Sequence, residues 1–225
     1  MKTPPTRILG VLGGMGPAAT TDFLLKLQAA TPAGRDADHI RVLMDLNPRV
    51  PDRMAEPEAA TAELGRMAER LKAMGAGVLA MPCNTAHATA DGIRAAGLPF
   101  VDMVAETTAE ALKDGARTVG VLATPGGEAL YQAALNAAGA TVLLPEGDDR
   151  PALAALIRGV KAGETGPEAR AAMAALAAGL VARGAGAVIA GCTEVPLLLA
   201  APDVAAPLAD SAEVLARACV RAIQN

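Results

Sequence analysis

The sequence predicts an α/β protein built from two similar three-layer domains with mostly parallel sheets. Short apolar runs rich in Val, Ile and Leu alternate with longer, Ala-rich amphipathic segments. Strands that are apolar on both faces and are separated by helices form parallel sheets that helices cover on both sides. The two halves of the chain also share matched motifs, which indicates an internal duplication.

Strand and helix patterns alternate along the chain. The predicted strands are Ile8–Leu12, Arg41–Leu46, Val78–Met81, Phe100–Val101, Thr118–Ala123, Thr141–Leu144 and Ala187–Ala190. The predicted helices are Pro17–Ala30, Pro57–Met74, Val104–Asp114, Glu128–Ala138, Pro167–Arg183 and Ser211–Ile223. Pro57 and Pro167 occupy positions typical of a first helical turn, and Gly75, Gly139 and Gly184 are typical of the residue that ends a helix.

Two motifs recur at nearly equal spacing. Gly10-Val11-Leu12 ends a predicted strand before a glycine-rich loop, and Gly120-Val121-Leu122 does the same 110 residues later. Cys83 and Cys192 lie 109 residues apart, and each follows a Gly-Ala-Gly motif at the same distance. The repeat predicts two domains related by a pseudo-twofold axis, with the active site in the cleft between them. We expect residues 1–103 plus 208–225 to form the first domain and residues 104–207 the second.

Cys83 and Cys192 are the strongest candidates for chemistry. Each directly follows an apolar strand and precedes an expected helix start, and ligands of parallel α/β sheets bind beyond the carboxyl ends of the strands. A helix N-terminus favours a thiolate over a thiol. We therefore expect two thiols on opposite sides of a small ligand, although a buried cysteine also serves as a small hydrophobic residue. Cys219, inside an amphipathic helical pattern, is interpreted in that second way.

The loop at residues 13–17 and His87 leave other chemistries open. The loop lacks the glycine spacing of a dinucleotide site and the lysine of a phosphate-binding loop. We interpret it, and its counterpart at residues 124–127, as a close backbone approach to a small anionic group, with a simple tight turn as the alternative. His87 lies four residues after Cys83, where it forms either a local hydrogen bond or the Cys–His pair of a thiol hydrolase.

The composition and the apolar pattern of the sequence indicate which classes of partner and which cellular location to expect. The net charge is −4, no basic run is present, and the aromatic residues are one Tyr and two Phe, so no nucleic-acid partner is expected. No apolar run reaches the roughly 18 residues of a membrane span. The polar residues 1–7 do not lead into a signal peptide, so we expect a cytoplasmic protein without a membrane partner. Three widely spaced cysteines and two distant histidines argue against disulfides and a zinc site.

A series of motifs in fixed order resembles the aspartate/glutamate racemase family. The matching segments are Gly13-Gly14-Met15-Gly16-Pro17, Pro51-Asp52-Arg53, Met81-Pro82-Cys83-Asn84-Thr85-Ala86-His87, Leu122-Ala123-Thr124, Gly159-Val160-Lys161-Ala162-Gly163 and Ala190-Gly191-Cys192-Thr193-Glu194. The resemblance covers nearly the whole chain and is greatest to the aspartate racemase branch with two cysteines. It implies an isomerase with a small-molecule amino-acid substrate, no cofactor and no metal, and, because relatives are commonly dimers, a homodimer.

The resemblance also implies a role for each matching residue. Cys83 and Cys192 would be the acid/base groups, one a thiolate and the other a thiol, on opposite faces of the α-carbon. Arg53 and Lys161 would face the side-chain carboxylate of the substrate. The groups that would hold its α-carboxylate and ammonium are Asn84, Thr85, Thr124, Thr193 and the loop backbone at Gly14 and Met15. Glu194 would either orient a neighbouring group or cap the next helix.

These assignments predict a two-base racemase that inverts aspartate first and glutamate second. One alternative is a broad-specificity amino-acid racemase or a related isomerase on the same scaffold. Another is a non-catalytic amino-acid-binding protein, which would keep the binding groups but would need neither thiol.

Overall fold

The chain divides into two compact α/β units. The computed structural model describes residues 7–224; the polar residues 1–6, on which part of the targeting prediction depends, lie outside the described residues. Residues 7–103 and 212–224 belong to one unit, and Val104–Ser211 form the other. Within residues 7–224, no helix combines the length and the apolar character that crossing a bilayer requires.

The first unit contains a four-stranded parallel sheet in the order β2-β1-β3-β4. Its strands are β1 (Leu9–Gly13), β2 (Val42–Leu46), β3 (Val78–Ala80) and β4 (Phe100–Val101). Its helices are α1 (Pro17–Ala30), α2 (Pro57–Ala73), α3 (Asp91–Arg94) and α8 (Ser211–Gln224), with 3-10 turns at Asp36–Asp38 and Thr85–Thr89. One apolar cluster joins the sheet to α1 and α8, and a second joins it to α2 and α3. Helices therefore cover both faces of the sheet.

The second unit repeats this arrangement with the order β6-β5-β7-β8, again parallel. Its strands are β5 (Thr118–Leu122), β6 (Thr141–Leu143), β7 (Ala187–Ala190) and β8 (Leu208–Asp210). Its helices are α4 (Met103–Leu112), α5 (Pro125–Ala137), α6 (Asp149–Lys161) and α7 (Pro167–Ala182), with 3-10 turns at Val195–Leu197 and Ala201–Asp203. Its two apolar clusters join the sheet to α6 and α7 and to α4 and α5. The predicted class of two similar α/β domains is confirmed, whereas the pseudo-twofold axis and the cleft stay predictions.

Helices α3 and α6 and strand β8 are absent from the elements that the sequence predicts. Leu153, Ile157 and Val160 are buried along one side of α6 at helical spacing, but prolines and glycines around this segment obscure the pattern. Strand β8 is only three residues long and exists through its pairing with β7. That pairing places residues 208–211 in the second unit, whereas the expected boundary lies at residue 207.

Prolines and glycines mark the helix ends as the sequence predicts. Pro57 and Pro167 are the first residues of α2 and α7, where a missing backbone N–H costs nothing. Gly75, Gly139 and Gly184 follow α2, α5 and α7 with φ values of 100°, 77° and 97°. These values lie in the left-handed region that ends many helices. The end signals therefore define these helices to within a few residues.

Gly14 is required by the shape of the loop after β1. Its φ is +99°, and a Cβ added to it would lie 2.5 Å from the backbone carbonyl carbon of Asn47. Its amide donates to Oγ1 of Thr20 at 2.9 Å. The loop is therefore held in place by a side chain of α1 and by direct contact with the segment after β2.

We expect Gly14→Ala to lower the free energy of unfolding by about 2–5 kcal/mol. The cost of a left-handed backbone conformation and the cost of a clash with the Asn47 backbone add together. Urea unfolding followed by circular dichroism measures the loss. Gly97→Ala is the matched control, since Gly97 has a φ of +74° but open space around a Cβ, so strain acts alone. Equal losses in the two variants would show that the Asn47 contact contributes nothing.

Candidate active site

Three loops meet at the carboxyl edge of the first sheet. Because β1, β2 and β3 are parallel, the segments that follow them leave the sheet at the same edge. Met15, Val50 and Cys83 belong to these three loops in turn, and all three are buried in one apolar cluster. This packing brings the glycine-rich loop, the loop that contains Arg53 and the Cys83 loop together.

The Cys83 loop is held through its backbone by His87. Cys83 is 5% exposed, and its carbonyl oxygen lies 2.8 Å from Nδ1 of His87. The other ring nitrogen, Nε2, accepts a hydrogen bond from the amide of Met103 at 3.0 Å. Since a backbone amide only donates, Nδ1 carries the proton and the ring is neutral. Burial accordingly holds the pKa of His87 below its usual value of 6.5.

These contacts decide between the two interpretations of His87. Both ring nitrogens are engaged by the backbone, so neither has a lone pair left for the Cys83 thiol. The local hydrogen bond is therefore what the structure contains, and the Cys–His pair of a thiol hydrolase is not formed at this position.

The helix start expected after each cysteine is a short 3-10 turn rather than an α-helix. In an α-helix, the carbonyl of residue i accepts from the amide of residue i+4. At Cys83 that carbonyl is taken by the His87 side chain, and the His87 amide bonds to Asn84 instead. At Cys192, residue i+4 is Pro196, which has no N–H, and the carbonyl accepts from Val195 at 2.9 Å. The N-terminal dipole of an α-helix, on which the expected thiolate stabilisation depends, is consequently not provided by these turns.

Cys192 contacts a buried carboxylate. It follows β7 by two residues and is 7% exposed. Its Sγ donates to Oε2 of Glu194 at 2.9 Å, and the Thr193 hydroxyl donates to the same oxygen at 3.4 Å. Glu194 makes no side-chain cap on the turn that follows it. Of the two roles considered for Glu194, the structure shows it oriented onto a neighbouring group.

Close backbone packing joins the Cys192 loop to the loop after β5. A Cβ on Gly127 would lie 3.1 Å from the carbonyl oxygen of Gly191, and a Cβ on Gly191 would lie 2.8 Å from the ring of Tyr131. Helix α5 begins at Pro125 rather than at the predicted Glu128. The Thr124 hydroxyl is its N-cap and accepts from the Gly127 amide at 3.4 Å. The counterpart of the glycine-rich loop therefore lies beside Cys192.

Arg53 carries an unsatisfied donor. It is half-buried in the segment after β2, and its Nε atom is buried without a hydrogen-bond partner among residues 7–224. A buried donor without an acceptor costs about 1–3 kcal/mol. A carboxylate is the acceptor that fits a guanidinium best, because its two oxygens match the fork of N–H groups.

The remaining candidate site residues differ in their exposure to solvent. Asn84 and Thr193 are buried beside the two cysteines, Thr85 is half-buried, and Lys161 is exposed as the last residue of α6. The Gly14 amide donates to Thr20, so Gly14 shapes the loop rather than offering a free donor. Asn84 and Thr85 thus adjoin Cys83, and Thr193 adjoins Cys192, whereas a role of Lys161 at the site stays a prediction.

Glu128 is a second buried carboxylate of the second unit, near the N-terminus of α5. It lies in the first turn of α5 and forms an ion pair with Arg150. Burial raises the pKa of Glu128 above its usual value, against the opposing effect of the Arg150 charge. The charge of Arg150 is therefore already partnered at this edge of the sheet.

Comparison with known sequences identifies the family. Residues 12–219 match the Asp/Glu/Hydantoin racemase family. The chain belongs to this family. Membership confirms the resemblance read from the motifs, and it agrees with the isomerase class, because racemases are isomerases.

Relatives of this racemase-family chain include proteins with different substrate ranges. The broad specificity amino-acid racemase RacX of Bacillus subtilis (strain 168) is 30% identical over 145 residues, which are 60% of this chain and 63% of that protein, slightly less than two thirds of its length. The aspartate racemase of Picrophilus torridus is 28% identical, with a TM-score of 0.86 over 96% of this chain and 94% of that chain. An aspartate racemase homologue from Pyrococcus horikoshii OT3 shares the fold, with a TM-score of 0.83, 23% identity and coverage of 98% of this chain and 100% of that chain.

We expect His87→Ala to lower the free energy of unfolding at pH 7.5 by about 2–4 kcal/mol, because the Cys83 carbonyl and the Met103 amide lose their partner. The pKa of His87 is depressed in the folded state, so the unfolded chain takes up a proton first as the pH falls. The stability of the parent protein should therefore decline below pH 6.5, and this part of the decline should vanish in the variant.

Urea unfolding at pH 7.5 and pH 5 measures both effects. His39→Ala is the control, because it removes the other histidine and leaves His87 in place. An unchanged decline between the two pH values in His87→Ala would contradict the neutral, doubly bonded ring.

Proposed function

We propose that this protein is a cofactor-independent racemase of an acidic amino acid, aspartate before glutamate, with Cys83 and Cys192 as its acid/base pair. The observation that carries the proposal is the equivalence of the two cysteines. Each is buried directly beyond the third strand of a four-stranded parallel sheet. Each is also followed by a short 3-10 turn. Two thiols in matching settings are what a reaction with matching forward and reverse directions requires.

Inversion of an α-carbon explains why two groups are needed. The α-proton of an amino acid is very weakly acidic, so its removal requires a base, charge stabilisation and exclusion of water. A thiolate on one face takes the proton and becomes a thiol, while a thiol on the other face donates its proton and becomes a thiolate. The reverse reaction exchanges the two roles, and both proton transfers are completed by side chains of the chain itself.

The basic residues support an acidic substrate. Arg53 has a buried Nε without an acceptor among the described residues. Lys161 ends α6 directly after Val160, which is buried in the same apolar cluster as Cys192. A guanidinium and an ammonium together favour a side-chain carboxylate over a neutral side chain. Similarity to the Picrophilus torridus aspartate racemase adds weight to aspartate.

A broad-specificity racemase is the second candidate function. Its support is the 30% identity to the Bacillus subtilis broad specificity enzyme. In that case Arg53 would not set the substrate range, and neutral amino acids would react as fast as aspartate. Either activity is proposed for a homodimer that acts on small amino acids, as the family resemblance implies. A cytoplasmic location without nucleic-acid or membrane partners is proposed from the composition and the apolar pattern of the sequence.

We expect Cys83→Ala and Cys192→Ala each to lower the rate of aspartate racemisation by roughly 10²–10⁴-fold, the usual contribution of a general acid or base. Optical rotation follows inversion, and mass spectrometry in deuterated water follows exchange at the α-carbon. Cys219→Ala is the matched control, because this buried cysteine lies in α8 and is assigned only a packing role.

Two results would contradict the catalytic pair. Racemisation at the parent rate in either single variant would remove that cysteine from the mechanism. Aspartate binding by the parent protein without inversion or exchange would make it an amino-acid-binding protein instead.

We expect Arg53→Met to lower kcat/KM for aspartate by roughly 10- to 100-fold, the loss for one hydrogen bond to a charged group, with a much smaller effect on alanine. Steady-state racemisation of both amino acids measures the difference. Arg49→Met is the control, since Arg49 is an exposed residue of the same loop. Equal losses for aspartate and alanine would favour the broad-specificity enzyme.

A further inference from the structure

Glu194 is a buried carboxylate of the second unit. It is 4% exposed, and its described polar contacts are with a thiol and a hydroxyl rather than with a cation. A carboxylate that is removed from water without a cation is costly unless hydrogen bonds satisfy it. The proton on the Cys192 sulfur supplies such a bond at 2.9 Å.

The geometry couples the charge of Glu194 to the protonation state of Cys192. While Cys192 is a thiol, its S–H donates to Oε2 and the carboxylate is satisfied. If Cys192 ionises, that bond is lost and two negative charges face each other at low exposure. Like charges in a shared buried site disfavour the second ionisation.

The elements packed around Cys192 contribute apolar side chains to its surroundings. Around the turn at Val195–Leu197, α6 and α7 contribute apolar side chains to the cluster that contains Cys192. The charged residues in the terminal turns of α6 and α7 include Arg158, Lys161 and Glu168, all of them exposed, and Asp210 ends β8 opposite Ala190. Lys161 is exposed and therefore screened, and Asp210 is another anion. The hydrogen bond from Cys192 Sγ to Glu194 Oε2 is thus a direct contact between the thiol and a buried carboxylate.

We propose that Glu194 is a positioning residue that keeps Cys192 in its thiol form and aims its S–H, so that Cys192 is the proton donor of the resting enzyme. The first half of this proposal concerns only the thiol and the carboxylate. The second half rests on the racemase function proposed above, in which Cys83 then removes the α-proton. After one turnover, Cys192 is the thiolate beside Glu194, and repulsion favours its return to the thiol.

Thiol alkylation tests the first half without any racemase assay. In a Cys83→Ala background, the rate of Cys192 alkylation by iodoacetamide is measured against pH by mass spectrometry of the modified peptide. An ordinary thiol has a pKa of about 8.5, and we expect Cys192 to reach half-maximal rate above that pH. Glu194→Gln keeps the size and an acceptor oxygen but removes the charge. It should move the midpoint down and raise the rate at pH 7.5 by roughly tenfold, which is one pKa unit.

The control is the same substitution in a Cys192→Ala background, where the alkylation profile of Cys83 should not move.

A midpoint that rises in Glu194→Gln would mean that Glu194 is a base that takes the Cys192 proton, and an unmoved midpoint would mean that the carboxylate only fills space. Either result overturns the proposal. If Glu194→Gln does not fold, the midpoint of Cys192 with Glu194 in place decides, since a value below about 8.5 also overturns it. Absence of racemase activity alongside the expected alkylation profile would refute the proposed function and leave the thiol–carboxylate pair intact.

Discussion

The parallel direction of the strands is the constraint on which the candidate site depends. Parallel strands release the chain at one edge of the sheet, so the loops after β1, β2 and β3 converge there even though they are far apart in sequence. Packing also holds the loops together, because each of them contributes at least one buried apolar residue to a shared cluster. In the second unit, direct contact between two glycine-containing loops performs the same task.

The two cysteine loops reach the same backbone outcome by different chemistry. In the first unit, the His87 imidazole occupies the Cys83 carbonyl that an α-helix would use, and in the second, Pro196 has no amide to offer Cys192. Both solutions give a short 3-10 turn instead of an α-helix. The two units thus share the backbone geometry of the cysteine loops, but the polar groups around the cysteines differ. In the first unit an imidazole hydrogen-bonds to the backbone, and in the second a carboxylate contacts the sulfur.

Much of the fold follows from local patterns in the sequence. Strands that are apolar on both faces predict buried parallel strands, and Pro57, Pro167 and the helix-ending glycines mark boundaries through backbone chemistry alone. Strand β8 could not be predicted in this way, because Leu208-Ala209-Asp210 contains no β-branched or aromatic residue and is a strand through its pairing with β7. The direction of the Glu194 side chain depends on the turn that follows it, and the buried Nε of Arg53 depends on packing around the loop after β2. Both are properties of tertiary structure rather than of spacing.

Tyr131 gives the protein an intrinsic optical reporter beside one of its thiols. It is the only tyrosine, and no tryptophan is present, so ultraviolet emission near 300 nm would come from this single ring. The ring is fully buried against Gly191, the residue before Cys192. Any event that shifts the Cys192 loop therefore changes the surroundings of one chromophore in the unlabelled chain.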